Sequence, residues 1–162
     1  MLWASYFISL RIIEVGGFQY ELVSENPITK EKEMCIKMHV PKGASLNEED
    51  VRSSIRKSTY EIERYFNVKD INYYIESWLL SPEVLALLDD NSNILKFSKL
   101  FSIKSMGECT RDILDFVFND VYIKDYNLLV CKTSLQVKLK SLLINKKEIH
   151  IGIGKLKQLD QI

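Results

Sequence analysis

Glu76 is the ionisable residue in the most unusual setting, because it lies inside the otherwise apolar run INYYIESWLL. The aromatic and β-branched residues of this run favour a buried strand. Alternation along that strand places Tyr74, Glu76 and Trp78 on one face. A carboxylate there must face a cleft, bind a partner or reach solvent at the strand's edge. The sequence leaves open whether Glu76 is a general base in a cleft or a solvent-facing residue.

His39 is the second candidate for acid–base chemistry, because it lies at the end of a predicted strand just before a turn. An imidazole titrates near neutral pH, so it can accept a proton during catalysis, although a half-buried structural histidine is the ordinary alternative. The only other histidine, His150, is distant in the sequence and no carboxylate or thiol shows ligand spacing. We therefore expect no metal site.

The turn PKGASL follows His39 and precedes a long helix with Asn47 as its predicted N-cap. The first backbone N–H groups of a helix lack internal partners, and the helix dipole places partial positive charge there. This arrangement suits a phosphate group, and it equally suits a helix that is merely capped. The turn therefore indicates an anion site without requiring one.

Composition limits the possible functions of the 162-residue chain. Twenty-two basic and 22 acidic side chains cancel, and no basic block stands out, so we expect no nucleic-acid partner. A hydrophobic content of 46% is sufficient for a core. The three cysteines form no CxxC pair, which indicates reduced thiols and a cytoplasmic location.

The apolar start MLWASYFISLRIIEVGG predicts a buried helix over residues 2–14. Arg11 interrupts the segment, and it lacks a basic leading region and a small-residue cleavage site, so a signal peptide is not expected. The segment is also too short to span a membrane.

The elements that must position these residues follow from hydrophobic periodicity. FQYELV and MCIKMHV predict an antiparallel hairpin, and the helix after Asn47 connects it to INYYIESWLL, which is expected to be parallel to MCIKMHV. The remaining predicted elements are the helix PEVLALL capped by Ser81, the strand ILKFSKLFSI, the helices CTRDILDFVFN and TSLQVKLKSLLI, and the strand EIHIGIGKL. Together they predict one α/β domain over residues 1–162, with a mixed sheet of at least five strands.

Five short motifs in a fixed order add a family resemblance. The segments are GGFQYEL, HVPKGASL, ESWLLSP, NSNILKF and TSLQVKLKSLL. In this order they resemble the GNAT-like C-terminal domain of a group of bacterial acyltransferases, over nearly the whole chain from Gly16 onward. Relatives of this type usually carry a further N-terminal, largely helical domain. The resemblance thus implies a GNAT-like fold without that part, with the helix at 2–14 as its last piece and a second chain or a homo-oligomer as partner.

The resemblance also implies how the site is built. Two central parallel strands, here Met34–Val40 and Asn72–Leu80, splay apart and admit an acyl-CoA thioester. The turn after the first strand then holds the pyrophosphate, and the residues implied for CoA binding are Val40, Lys42, Gly43, Ala44 and Ser45. The turn has one glycine where the superfamily loop commonly has two.

Two functions are compatible with this resemblance. The first is direct transfer of an acyl group from acyl-CoA to an amine of a small molecule or peptide, with Glu76 or His39 as base. Ser92 or Tyr122 would then protonate the leaving thiolate. The second is a GNAT-like module without turnover that serves in binding or assembly, for which the single-glycine turn and the missing N-terminal domain are the evidence. No metal and no membrane span are expected in either case.

Overall fold

A computed structural model of the chain describes residues 12–157. The described strands are β1 (Ile12–Val15), β2 (Phe18–Glu25), β3 (Lys32–His39), β4 (Asn72–Ser77), β5 (Phe101–Glu108) and β6 (His150–Leu156). The helices are α1 (Glu48–Phe66), α2 (Pro82–Leu85), α3 (Asn93–Ser98), α4 (Thr110–Ile113) and α5 (Ser134–Ile144). A π-helical turn (Leu114–Phe118) continues α4, and two 3₁₀ turns lie at Trp78–Leu80 and Tyr126–Leu128.

The six described strands form one mixed sheet in the order β1-β2-β3-β4-β6-β5. Only β3 and β4 are parallel, with Cys35 opposite Asn72 and Met38 opposite Ile75. The other four neighbouring pairs are antiparallel. The mixed sheet, its size and the parallel pair are therefore confirmed.

Helix α1 covers one face of the sheet and connects the parallel strands. Its buried residues Val51, Ile55 and Ile62 recur at helical spacing and join the core cluster that includes Tyr20 and Ile36. The predicted N-cap is confirmed, because the Asn47 side chain accepts a hydrogen bond from the Glu49 backbone N–H.

Two buried hydroxyls fasten α1 to the neighbouring hairpin. The Ser54 hydroxyl donates to the Val15 carbonyl over 2.6 Å, and the Tyr20 hydroxyl lies 2.6 Å from the Ser54 oxygen. Burial raises the pKa of Tyr20 to about 12, so this phenol stays protonated and available as a donor.

The prediction of a helix over residues 2–14 is wrong where the structure describes it, because Ile12–Val15 is strand β1. Residues 2–11 lie outside the described residues. Gly16 and Gly17 both have positive φ, at 58° and 81°, as a two-residue hairpin turn requires, so they join β1 to β2.

Two other boundaries differ from prediction. The segment ILKFSKLFSI was expected to be one strand, but Asn93–Ser98 is helix α3 and the strand begins at Phe101. The strand INYYIESWLL ends at Ser77, whose side chain accepts from the Leu79 N–H and starts a 3₁₀ turn. Trp78 is therefore not part of the strand that carries Glu76.

Among the described residues, no helix has the length and apolar character needed to cross a membrane. The same residues contain no cluster of three or more His, Cys, Asp or Glu side chains placed to hold a metal ion.

Candidate functional site

The parallel strands separate at one end, and a cavity lies beside that end. The β3–β4 pairing stops at Met38 and Ile75, whereas β4 remains paired with β6 as far as Ser77 and Gly152. A cavity of about 260 Å³ lies just beyond the last β3–β4 pair. The residues that line it are Gln19, His39, Val40, Pro41, Glu76, Ser77, Trp78, Asp112 and Phe116.

His39 is the best-positioned proton acceptor in this cavity. Its Nε2 atom lies 3.0 Å from a Glu21 carboxylate oxygen on the adjacent strand β2. Burial lowers the pKa of His39 below its usual 6.5, and Lys37 lowers it further, while Glu21 and Glu76 act in the opposite direction. The net shift keeps the imidazole neutral at neutral pH. A carboxylate bonded to one ring nitrogen also orients the ring and selects its tautomer.

Glu76 lies on the same face of the sheet as His39, but it has a partner. Its carboxylate accepts a hydrogen bond from the Lys37 ammonium over 2.8 Å, and 36% of its side chain is exposed. The ion pair holds the carboxylate toward Lys37. Glu76 is thus a weaker candidate for the base than His39.

Asp112 is a cavity residue that the sequence did not reveal. It lies in α4, opposite the strand ends, and its pKa is raised by burial and by the negative charges of Glu76 and Asp115. No feature of CTRDILDFVFN distinguishes Asp112 from the other polar residues of an amphipathic helix. Its carboxyl adds to the acidic character of the cavity, which favours an approaching ammonium group.

The turn implied for CoA binding has a defined backbone conformation. Gly43 has a φ of 85°, and the Ala44 N–H donates to the Pro41 carbonyl over 3.1 Å. Only glycine adopts this conformation without strain, which explains its place in the turn. The Lys42 ammonium donates to the Asn119 side chain at the end of the π-helical turn, so it links this turn to the wall that carries Asp112.

The start of α1 carries several charges of its own. The Ser45 hydroxyl donates to the Asp50 carboxylate over 2.7 Å, and three acidic residues, Glu48, Glu49 and Asp50, occupy the first helical turn. These carboxylates interact with the same helix dipole that would attract a phosphate. An adjoining groove of about 720 Å³ is lined by three basic side chains, Arg52, Arg56 and Lys57.

The structure does not bring the two predicted acids to this cavity. Ser92 precedes α3 and lines a different cavity, of about 210 Å³, together with Lys138. Tyr122 is 87% exposed in the segment after the π-helical turn. The structure therefore groups His39, Val40 and Glu76, places the Lys42–Ser45 turn next to them, and leaves Ser92 and Tyr122 apart.

Comparison with known proteins identifies the class of protein that this fold and site define. The family model of the GNAT-like C-terminal domain matches residues 12–156, so the chain belongs to that family. No curated protein matches the chain in sequence.

Solved structures support the same fold. One is an acyltransferase in complex with decanoyl-CoA, which aligns with 95% of this chain at a TM-score of 0.80 and 21% identity. Another is an acyltransferase in complex with CoA and 10C-teicoplanin, which aligns with 96% of this chain at a TM-score of 0.79 and 21% identity. A third is an acyltransferase mutant in complex with octanoyl-CoA, with the same coverage, score and identity. The chain spans 48 to 49% of the length of these proteins.

Proposed function

We propose that the protein transfers an acyl group from acyl-CoA to an amine. The observation that carries this proposal is the opening between the parallel strands after Met38 and Ile75, with a neutral histidine in the cavity at that opening. Membership of the GNAT-like family supports acyl-CoA as donor, since the similar solved structures contain decanoyl-CoA, CoA and octanoyl-CoA.

The acyl donor would enter the gap between β3 and β4. Val40 lies past the end of the strand pairing, and a backbone N–H at this level would polarise the thioester carbonyl. The turn Lys42–Ser45, which adjoins the start of α1, is the proposed pyrophosphate contact. The fit is partial, because the Lys42 and Ser45 side chains already have protein partners.

The transfer step needs a base, and we assign it to His39. The amine nitrogen attacks the thioester carbon to form a tetrahedral oxyanion, and its proton passes to the neutral imidazole. Collapse of this species forms the amide bond, breaks the carbon–sulfur bond and expels the CoA thiolate, which takes the proton back from the His39 imidazolium and so restores the neutral imidazole. Glu21 orients the imidazole and stabilises its protonated form. Asp112 attracts the acceptor, which arrives as an ammonium ion and first loses a proton to solvent, whereas the Glu76 carboxylate is already paired with Lys37.

The test replaces His39 and uses the second histidine as a matched control. His39→Gln should lower kcat/KM for transfer by on the order of a hundredfold or more, with nearly unchanged acyl-CoA affinity. His150→Gln should retain the rate, because His150 bonds to Glu83 rather than lining the cavity. Retained transfer in the His39 variant, with loss in Glu76→Gln, would move the role of base to Glu76.

A second candidate function is a binding or assembly module without turnover. The acidic first turn of α1 and the bonded Lys42 favour it, because both weaken a phosphate site. Acetyl-, octanoyl- and decanoyl-CoA should raise the melting temperature if the first proposal is right, since they bind the folded state. Absence of a shift with all three supports the module, acting in a homo-oligomer or with a separate chain that supplies the other half of the similar structures.

A further inference from the structure

A second cavity opens on the same face of the sheet as His39 and Glu76. Its volume is about 360 Å³, and its lining includes Tyr74, Lys104 and Lys155 but no acidic residue. Tyr74 and Glu76 are two residues apart on β4, so their side chains share one face. The two cavities therefore lie along one side of the sheet, beyond opposite ends of that short strand segment.

The strand register fixes the distance between the lysines and the site. Glu76 and Lys104 both pair with Ile153, from opposite sides, so they lie two strand spacings apart, about 10 Å between Cα atoms. Lys155 lies on β6, the strand next to β4, and is directly opposite Tyr74. Its Cα is therefore about 8 Å from that of Glu76 by the usual strand spacing and rise.

The lysines are available to a ligand. Within residues 12–157, neither of them forms an ion pair. The Lys155 ammonium lies over the Tyr74 ring, 5.9 Å from its centroid, which holds it at the cavity. The neighbouring Glu33 carboxylate accepts hydrogen bonds from the Asn26 and Asn72 amides, over 2.5 and 2.6 Å, and interacts electrostatically with Lys155 without forming an ion pair with it.

The charges on this face have a definite order. Acidic groups, Glu21, Glu76 and Asp112, lie in or beside the first cavity, where Lys37 pairs with Glu76, and two ammonium groups that form no ion pair among the described residues lie in the second, with Glu33 near Lys155. A ligand that matches both ends carries a cationic amine at one end and an anion at the other. We infer that Lys104 and Lys155 bind an anionic group of the acyl acceptor, so that the acceptor is a zwitterion whose two ends meet strand positions with Cα atoms about 8 to 10 Å apart. This inference rests on the proposed function, because the amine end is placed by the transfer site.

The test compares acceptors of one length that differ only at the far end. The compounds are 6-aminohexanoate, 6-aminohexyl phosphate, 6-amino-1-hexanol and 1,6-diaminohexane. Wild-type protein should use the two anionic compounds with the highest kcat/KM, and their ratio shows whether carboxylate or phosphate is preferred. Replacing both lysines by glutamine should reduce this preference by about three- to tenfold, as expected for two partly exposed ion pairs, and leave the rate with 6-amino-1-hexanol unchanged.

Two further variants separate charge from packing. Lys104→Arg with Lys155→Arg keeps both charges and the ring contact, so it should retain the preference. Lys147→Gln, at an exposed lysine that lines neither cavity, should behave as wild type. Equal use of all four compounds, or a preference that survives the double glutamine change, would overturn the inference.

A binding experiment distinguishes failure of this inference from failure of the proposed function. Saturation-transfer NMR measures binding of the same four compounds without acyl-CoA and therefore without turnover. Stronger binding of the anionic compounds, lost in the double glutamine variant, supports the lysine site even if no transfer occurs. Equal binding refutes it, whatever the result of the acyl-CoA experiments.

Discussion

Replacement of Gly152 by alanine should destabilise the protein through one steric conflict. Gly152 lies in β6, and a Cβ atom there would be 2.2 Å from the Leu80 carbonyl oxygen and 2.5 Å from the Leu80 carbonyl carbon. Leu80 is fully buried at the end of the 3₁₀ turn that follows β4. Because the clash is with backbone rather than a flexible side chain, a change of rotamer cannot relieve it.

The expected magnitude follows from the displacement required. Moving the turn or β6 by roughly 1 Å disturbs well-packed atoms, and overpacking of this kind costs about 1–3 kcal/mol. The φ of Gly152 lies outside the positive region, so alanine can adopt it. Alanine also lowers the conformational entropy of the unfolded chain, which offsets the loss of stability by about 0.5 kcal/mol. A net loss of about 1.5 kcal/mol, the middle of the resulting range, corresponds to a fall in melting temperature of about 3–6 °C for a chain of this size.

The assay is thermal and urea unfolding, with Gly107→Ala as control. A Cβ at Gly107 meets nothing within 4 Å, but its φ of 55° is strained for alanine, so its smaller cost of about 1 kcal/mol measures backbone strain alone. Acyl-CoA affinity should fall only in Gly152→Ala, since Trp78, in the same 3₁₀ turn as Leu80, lines the cavity. Equal stability of the two variants would refute the steric reasoning.

Two further predictions concern titration. Desolvation raises the pKa of Glu83, but hydrogen bonds from His150 outweigh it and bring the pKa to about 2. The ionised Glu83 therefore stabilises the folded state at pH values above its ordinary pKa of 4.5, and this contribution is lost as the pH falls toward 2. Acid unfolding of Glu83→Gln should therefore depend less on pH in this range. Burial raises the pKa of Cys35 to about 11 and of Cys109 to about 12, so a thiol reagent should modify only Cys131 in the native protein.

The sequence predicted most reliably the elements whose local signals agree with their environment. Asn47 before three acidic residues identified the start of α1, and the segment TSLQVKLKSLLI identified α5, whose cap the structure shows to be Thr133 in a capping box with Gln136. The parallel strands were predictable because the strand-like segments MCIKMHV and INYYIESWLL flank a helix long enough for a crossover. These signals lie within a few residues of each other, so one sequence suffices to read them.

The incorrect predictions arose where tertiary contacts decided between two local options. Ile94 and Phe97 fit an alternating pattern poorly, but their spacing of three residues places both against the core when Asn93–Ser98 is helical. Residues 12–14 were assigned to a helix, although the paired glycines after Val15 form a hairpin turn with positive φ values and Ile12–Val15 is a strand. Asp112 was missed because its importance depends on the approach of α4 to the strand ends, which no local pattern encodes.

The gap between β3 and β4 has a physical cause that depends on residues far apart in the sequence. Strand β4 follows β6 for two residues beyond its last pair with β3, because the glycines of β6 let the 3₁₀ turn at Trp78–Leu80 pack directly on that strand. Strand β3 cannot follow β4, since Pro41 lacks a backbone N–H and a turn begins there. One strand is therefore drawn toward β6 while its parallel neighbour ends, and the cavity beside His39 forms where the two diverge. The same glycine that permits the packing of Leu80 thus helps to determine the width of the proposed thioester channel.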